Sequence, residues 1–219
     1  MNLLFILDPL DTLNIKKDTS YAMMREAASR GHQTWAAQQK NISFIENKVM
    51  VNARQLSILD DRSAWYEVLE SKELAPAEID GIIMRKDPPF DMEYIYSTYL
   101  LESLEQDGCV VFNRPRSIRD FNEKLAITKY PEFIAPTVVT ADHTTIKQFI
   151  DKNNEIILKP LDGMGGSSIF RSRPDDPNLG VIIETLTDFG RRTIMVQKFI
   201  PQIKDGDKRV LLIDGEAVP

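Results

Sequence analysis

Ile156-Ile157-Leu158-Lys159-Pro160-Leu161-Asp162-Gly163-Met164-Gly165-Gly166-Ser167-Ser168 is the stretch from which the rest of the chain is best read. Its apolar opening predicts a buried strand over Glu155 to Lys159, delivering a lysine at its end. A glycine-rich loop follows, and a second strand begins near Ser168 and runs to Arg171. Glycines let backbone amides approach one anion, Ser167 or Ser168 can add hydroxyl donors, and Lys159 supplies a point charge for phosphate oxygens. The order of parts differs from the phosphate loop whose lysine follows its glycines. It differs too from the dinucleotide fingerprint that opens a helix. On loop composition alone, a flexible hairpin with an incidental lysine reads equally well.

On the C-terminal side, Thr193 to Phe199 predicts a strand that leaves into Pro201. Such an exit can offer free backbone N–H and C=O groups to an adenine edge, with apolar neighbours against its faces, although an ordinary edge strand has the same pattern. Asp205-Gly206-Asp207-Lys208-Arg209 reads as a turn. Asp207 could accept from ribose hydroxyls there and Arg209 could fork onto phosphate or carboxylate, and a surface hairpin explains the charges as simply. Lys208 to Ile213 is a further strand expectation, turning at Asp214-Gly215-Glu216. On the N-terminal side lie a helix over Thr144 to Lys152, a strand over Thr137 to Thr140 and a helix containing Asn122-Glu123-Lys124. Lys124 is either a second cation for the same anion or an exposed helix lysine. Together these elements predict an antiparallel α+β unit over 122–219.

Residues 1–121 have another character. Leu3 to Leu7 and Gly81 to Met84 are continuous apolar runs, expected for strands covered on both faces. Asp18-Thr19-Ser20 caps a helix stopped at Gly31, and Asp91 to Gln106 reads as a second helix. Thr34 to Ala37 and Val110 to Phe112 are further strands, and Ile42 to Glu46 with Val49 to Ala53 forms a hairpin around Asn47-Lys48. The order predicts an α/β domain with a mostly parallel sheet flanked by helices, whose ligands gather at the strands' carboxyl ends, where Asp8 and Arg85 sit.

The 219 residues are 42% hydrophobic and 27% charged, with a net charge of -6. That supports packed cores and offers no basic field for nucleic acid. The single cysteine, Cys109, lies in an apolar run, reads as a small buried hydrophobe and forms no intrachain disulfide, as suits a cytoplasmic protein. The N-terminal apolar run is too short for a signal peptide or membrane span. His32 and His143 are isolated and read as surface residues.

Taken in order, Asp8-Pro9, Asn14-Ile15-Lys16-Lys17-Asp18, Arg85-Lys86-Asp87-Pro88-Pro89-Phe90-Asp91, Asn122-Glu123-Lys124, Leu158 to Gly166 and Asp205 to Arg209 resemble the prokaryotic glutathione synthetases of the ATP-grasp superfamily. The resemblance runs over essentially the whole chain. It implies a pre-ATP-grasp domain followed by the first part of an ATP-grasp domain. It also implies that Lys124 and Lys159 contact ATP phosphates and that Gly163, Met164, Gly165, Gly166 and Ser167 close over them. By the same resemblance Gln197, Lys198, Phe199 and Ile200 line adenine, Asp207 lies near ribose, Arg209 stabilises charge on phosphate or the acyl phosphate in catalysis and Arg85 helps hold the peptide substrate's carboxylate. The implied reaction joins γ-glutamylcysteine and glycine with ATP, through an acyl phosphate. Magnesium (or manganese) is implied too, with ligands expected beyond residue 219 and none within the chain. The chain is accordingly expected to be an incomplete one, inactive alone, from a tetrameric enzyme. Rival expectations are another ATP-grasp carboxylate–amine ligase, which would not need the Arg85 to Asp91 stretch, and a non-catalytic nucleotide-binding module.

Overall fold

The computed structural model describes residues 1–61, 64–162, 165–213 and 215–218. The chain divides into two compact units, meeting in sequence at residues 126 and 127.

The first unit runs β1 (Asn2–Ile6), α1 (Thr19–Ser29), β2 (Gln33–Ala37), β3 (Ile42–Ile45), β4 (Lys48–Ile58), β5 (Tyr66–Leu74), β6 (Gly81–Met84), α2 (Met92–Gln106), β7 (Val110–Phe112) and α3 (Pro115–Asp120). Strands β2, β1, β6 and β7 lie side by side and parallel. Strand β4 adds antiparallel to β2 and carries β3 and β5 on its flanks. Alternate side chains of a strand point to opposite faces, and here both faces are dry. Leu4 and Ile6 enter one core with Leu101 and Leu104 of α2, while Phe5 and Leu7 enter another with Tyr21 and Met24 of α1. The uninterrupted apolar run is thus accounted for. The Asp18 cap stands as read, its carboxylate accepting from the Ser20 N–H at 2.6 Å, and Asp91, read as helical, instead caps α2 by accepting from the Tyr94 N–H at 2.9 Å.

Two local differences have simple causes. The β3–β4 turn sits at Glu46-Asn47, both at positive φ (48° and 68°), one residue earlier than the sequence suggested. Residues 122–124 are a turn rather than helix. The Asn122 side-chain oxygen accepts from the N–H groups of Lys124 (3.0 Å) and Leu125 (2.9 Å), drawing the chain into the short 3-10 helix Leu125–Lys129. Strand β5 carried no sequence signal, because its central residues are exposed on both sides and show no alternation.

The second unit contains β8 (Thr137–Thr140), α4 (His143–Asn153), β9 (Ile156–Pro160), β10 (Phe170–Ser172), α5 (Leu179–Thr187) and β11 (Ile194–Lys198). Its four-stranded sheet is antiparallel in the order β10-β9-β11-β8. Ile156 and Leu158 of β9 pack with Ile194 and Val196 of β11 under Ile146, Ile150 and Ile183 of the helices. Helix α5 is an element the sequence reading lacked. The strand expected over Lys208 to Ile213 shortens to β12 (Leu212–Ile213), which pairs with β13 (Glu216–Ala217).

Candidate active site

Helices cover one face of the second sheet, so the alternate residues of β9 and β11 are left for a site. Ile157 and Lys159 of β9 and Gln197 of β11 line a cavity of about 500 Å3, together with Phe199, Ile200 and Ile203 beyond the strand. Ile127, Phe133, Ile134 and Ile169 add apolar walls. A flat apolar slot with few polar groups suits an aromatic base. Gln197 is fixed by donating its amide N–H to Thr137 Oγ1 at 2.9 Å. Lys198 and Phe199 spend their backbone N–H groups on the carbonyls of Pro136 and Glu155, both at 2.9 Å, whereas the Ile200 N–H has no partner among the described residues. The rim therefore offers the Ile200 N–H as a donor, and Ile200 is 53% exposed.

Phe199 is itself held. The Arg171 guanidinium stands 3.8 Å from its ring centroid and donates from Nε and an Nη to Glu155 at 2.9 and 2.7 Å. Arg173 reaches the same carboxylate at 2.9 Å. The Arg171 and Arg173 hydrogen bonds lower the Glu155 pKa from the usual carboxylate range. Sequence reading missed Ile157, Ile169, Arg171 and Glu155. The alternation of Ile157 with Lys159 was a usable signal for the first, whereas nothing local in sequence couples Arg171 to Phe199.

Of the remaining glycine-loop residues, Gly165 and Gly166 are exposed and adopt φ of +67° and +78°. An added Cβ would meet nothing within 4 Å at either, so glycine is required there by backbone conformation and not by crowding. Ser167 is exposed beside them, while Gly163 and Met164 lie outside the described residues. Asp207 and Arg209 stand on an exposed segment without regular structure and do not line the cavity. Lys124, in the first unit, pairs with Glu123 at 2.6 Å.

The first unit gathers a separate polar group at the carboxyl ends of β1 and β6. The chain leaves β1 for β2 on one side and returns to β6 on the other, which is the switch point where parallel sheets bind ligands. Arg85 donates from Nε to Ser20 Oγ (3.0 Å) and from an Nη to Thr19 Oγ1 (3.1 Å) at the start of α1. Lys86 pairs with Asp8 at 2.9 Å, whose second oxygen accepts from the Asp87 N–H at 3.0 Å. Cys109 is buried, its thiol pKa raised by desolvation, as a packing residue requires.

A parallel α/β unit followed in sequence by an antiparallel sheet with a lysine strand, a glycine loop and a cavity has known counterparts. A RimK domain protein of the ATP-grasp type from Sphaerobacter thermophilus matches at a TM-score of 0.59 and 16% identity, over 92% of this chain and 64% of that one. The ATP-grasp ligase PsnB, solved with a phosphomimetic precursor variant, Mg and ADP, matches at 0.51 and 16%, over 90% and 64%. This is the fold of an ATP-grasp ligase.

Sequence narrows the class. Residues 1–119 match the family described as prokaryotic glutathione synthetase, N-terminal domain, and residues 123–219 match its ATP-grasp domain. The glutathione synthetase of Nitrosomonas europaea is 54% identical over 221 residues, covering 100% of this chain and 69% of that protein. The chain belongs to the prokaryotic glutathione synthetase family.

Proposed function

We propose that the protein carrying this chain joins the cysteinyl carboxylate of γ-glutamylcysteine to the amine of glycine at the expense of ATP. The observation that carries the nucleotide part is the single uncovered sheet face on which Lys159, Gln197 and the Ile200 N–H border one apolar cavity. Adenine would lie between Ile157, Phe199 and their apolar neighbours, with a ring nitrogen accepting from Ile200. Lys159 would neutralise phosphate oxygens, and Gly165, Gly166 and Ser167 would cover them, with Gly163 and Met164 as the preceding part of the loop. Lys124 is assigned as a second phosphate cation, Asp207 to ribose and Arg209 to developing charge. Arg85 would use its remaining N–H groups to help hold the peptide substrate's carboxylate. In this reading residues 1–121 form the substrate-side domain and 122–219 the opening part of the ATP-binding domain.

The chemistry follows from the substrates. A carboxylate is a poor acyl donor until an oxygen attacks the γ-phosphorus, releasing ADP and giving an acyl phosphate. The glycine amine then displaces phosphate and forms the amide. Positioning and cationic stabilisation dominate such transfers. The proposed nucleotide is magnesium-bound ATP, manganese being the alternative ion. Among the described residues no group of three or more His, Cys, Asp or Glu could hold a metal ion. We further propose a cytoplasmic homotetramer; among the described residues no helix is long and apolar enough to cross a membrane.

The test is ADP release by the full-length gene product with Mg-ATP, γ-glutamylcysteine and glycine, each amino substrate omitted in turn. Release that requires both substrates is expected. Release that tolerates another acceptor equally well would reassign the substrate, and none at all would reduce the chain to a nucleotide-binding module.

A further inference from the structure

Strand β4 changes partners along one of its edges. It pairs there with β3 over residues 48–51 and with β2 over residues 54–56, so 52 and 53 have no strand partner on that edge. A cavity of about 380 Å3 opens at this gap, between β4 and the link 38–41 that joins β2 to β3. Its volume is within the range of small-molecule sites. It takes no residue from β1, β6 or β7, whose ends carry Asp8 and Arg85. The lining is one-sided in charge. Lys40, Arg54 and Lys72 belong to it and, among the described residues, no Asp or Glu does, in a chain where acids outnumber bases 33 to 27. The three cations differ in what they already do. Lys72 donates to Glu78 at 3.0 Å and stands 5.4 Å from the centroid of the Trp35 ring. The side chains of Lys40 and Arg54 make no hydrogen bond or ion pair among the described residues. Beside them, the Asn41 carboxamide is oriented by accepting from the Gln38 N–H at 3.0 Å, a bond that uses its oxygen and not its amide hydrogens. Ser71, the partner of Arg54 across β5, adds a hydroxyl. A hollow lined by one sign of charge concentrates counter-ions, and a fork cation with a point cation and neutral donors complements phosphate oxygens.

We propose that this cavity binds a phosphate-class oxyanion, with Arg54 forking onto two of its oxygens and Lys40, Asn41 and Ser71 serving the others. The anion bridges the link 38–41 to β4 and closes the gap that the change of partners leaves, so its binding is felt as stability of the first unit. Free phosphate and the phosphate end of a small ester share this chemistry, and the cavity has room for either. The inference goes beyond the ligase reading and does not depend on it.

The experiment follows the melting temperature of the full-length gene product, with an excess of a magnesium-bound, non-hydrolysable ATP analogue to fill the nucleotide cavity. Inorganic phosphate and glycerol 3-phosphate are titrated separately against sodium chloride at equal ionic strength. At ten times the dissociation constant, at least one should raise the midpoint by about 2 °C over chloride. In Arg54→Gln and in Lys40→Gln, each compared with its own midpoint without the anion, less than half of that rise should remain. Lys40 is exposed, so Lys40→Gln carries the test if Arg54→Gln fails to fold. Lys48→Gln, which removes an exposed lysine outside the cavity, should keep the full rise. A rise with both probes, or with phosphate alone, assigns the site to the free oxyanion, and a rise with the ester alone assigns it to a phosphomonoester. No rise beyond chloride with either probe overturns the proposal, as does a rise that is undiminished in either cavity variant or equally diminished in Lys48→Gln.

Discussion

The two sheets of this chain use the same strand chemistry to opposite ends. In the first, Leu4 and Ile6 point into one core and Phe5 and Leu7 into another, so the sheet has no face to lend. Its chemistry is confined to the strand ends, where Asp8, Arg85 and Lys86 emerge. In the second, α4 and α5 cover one face only, and alternate positions of β9 are divided between core and cavity. Burying one face is what frees the other to bind, at the cost of a thinner core. The difference can be tested position by position along β9.

The largest effect falls on Lys159. Lys159→Ala should lower kcat by roughly 10²–10³-fold, as for loss of one charge-stabilising group, with the unfolding midpoint almost unmoved. A stability loss without a turnover loss would place Lys159 with the core residues and erase the contrast. Next is its neighbour. Leu158, fully buried, should cost about 3 kcal/mol on change to alanine in denaturant titration, with the KM for ATP unchanged in what remains folded. Ile157→Ala, one residue away and half-buried, should cost only about 1 kcal/mol and raise the KM for ATP instead. Equal losses at 157 and 158 would mean that both faces are structural.

A third comparison concerns Arg171, which touches no proposed ligand group but holds Phe199. Arg171→Ala removes a partly exposed cation–π contact, on the order of 0.7 kcal/mol, and should raise the KM for ATP about threefold with kcat near wild type. Replacing Arg171 by lysine should recover part of the loss, a result that mere loosening of β10 would not give.

How much of this was legible in sequence follows the same division. Runs such as Leu3 to Leu7 announce a two-sided strand because no alternation is needed, and Asp18 announces a helix start through a local hydrogen bond. The glycine loop was legible because positive φ at residues 165 and 166 demands glycine. Strand β5 was not, since it is an exposed edge defined by pairing with β4, and a pairing partner distant in sequence leaves no local pattern. Residues 122–124 read as helix because their composition permits it, and the Asn122 side chain decided otherwise. The cavity's Lys159 and Gln197 were read from their strands, but the Glu155–Arg171–Phe199 assembly joins three elements and exists only once the sheet has formed.

The smallest expected effect is a pH dependence centred on that assembly. Glu155 accepts from Arg171 first and Arg173 second, and these bonds hold its carboxyl below the ordinary glutamate value of about 4.3. The folded state therefore binds this proton less readily than the unfolded state does. The contribution to stability is full above pH about 4.3 and is lost as pH falls through the lowered folded value. Because the carboxylate is only partly buried, with its side chain 24% exposed, solvent keeps the contribution small. Urea midpoints of wild type and Glu155→Gln should differ by a constant small amount from pH 5 to 7, and the two curves should converge below about pH 4. Convergence on the alkaline side would mean that the carboxyl is raised on folding. In that event Arg171 would be held over Phe199 by the ring alone, and the KM effect of Arg171→Ala would survive in a Glu155→Gln background.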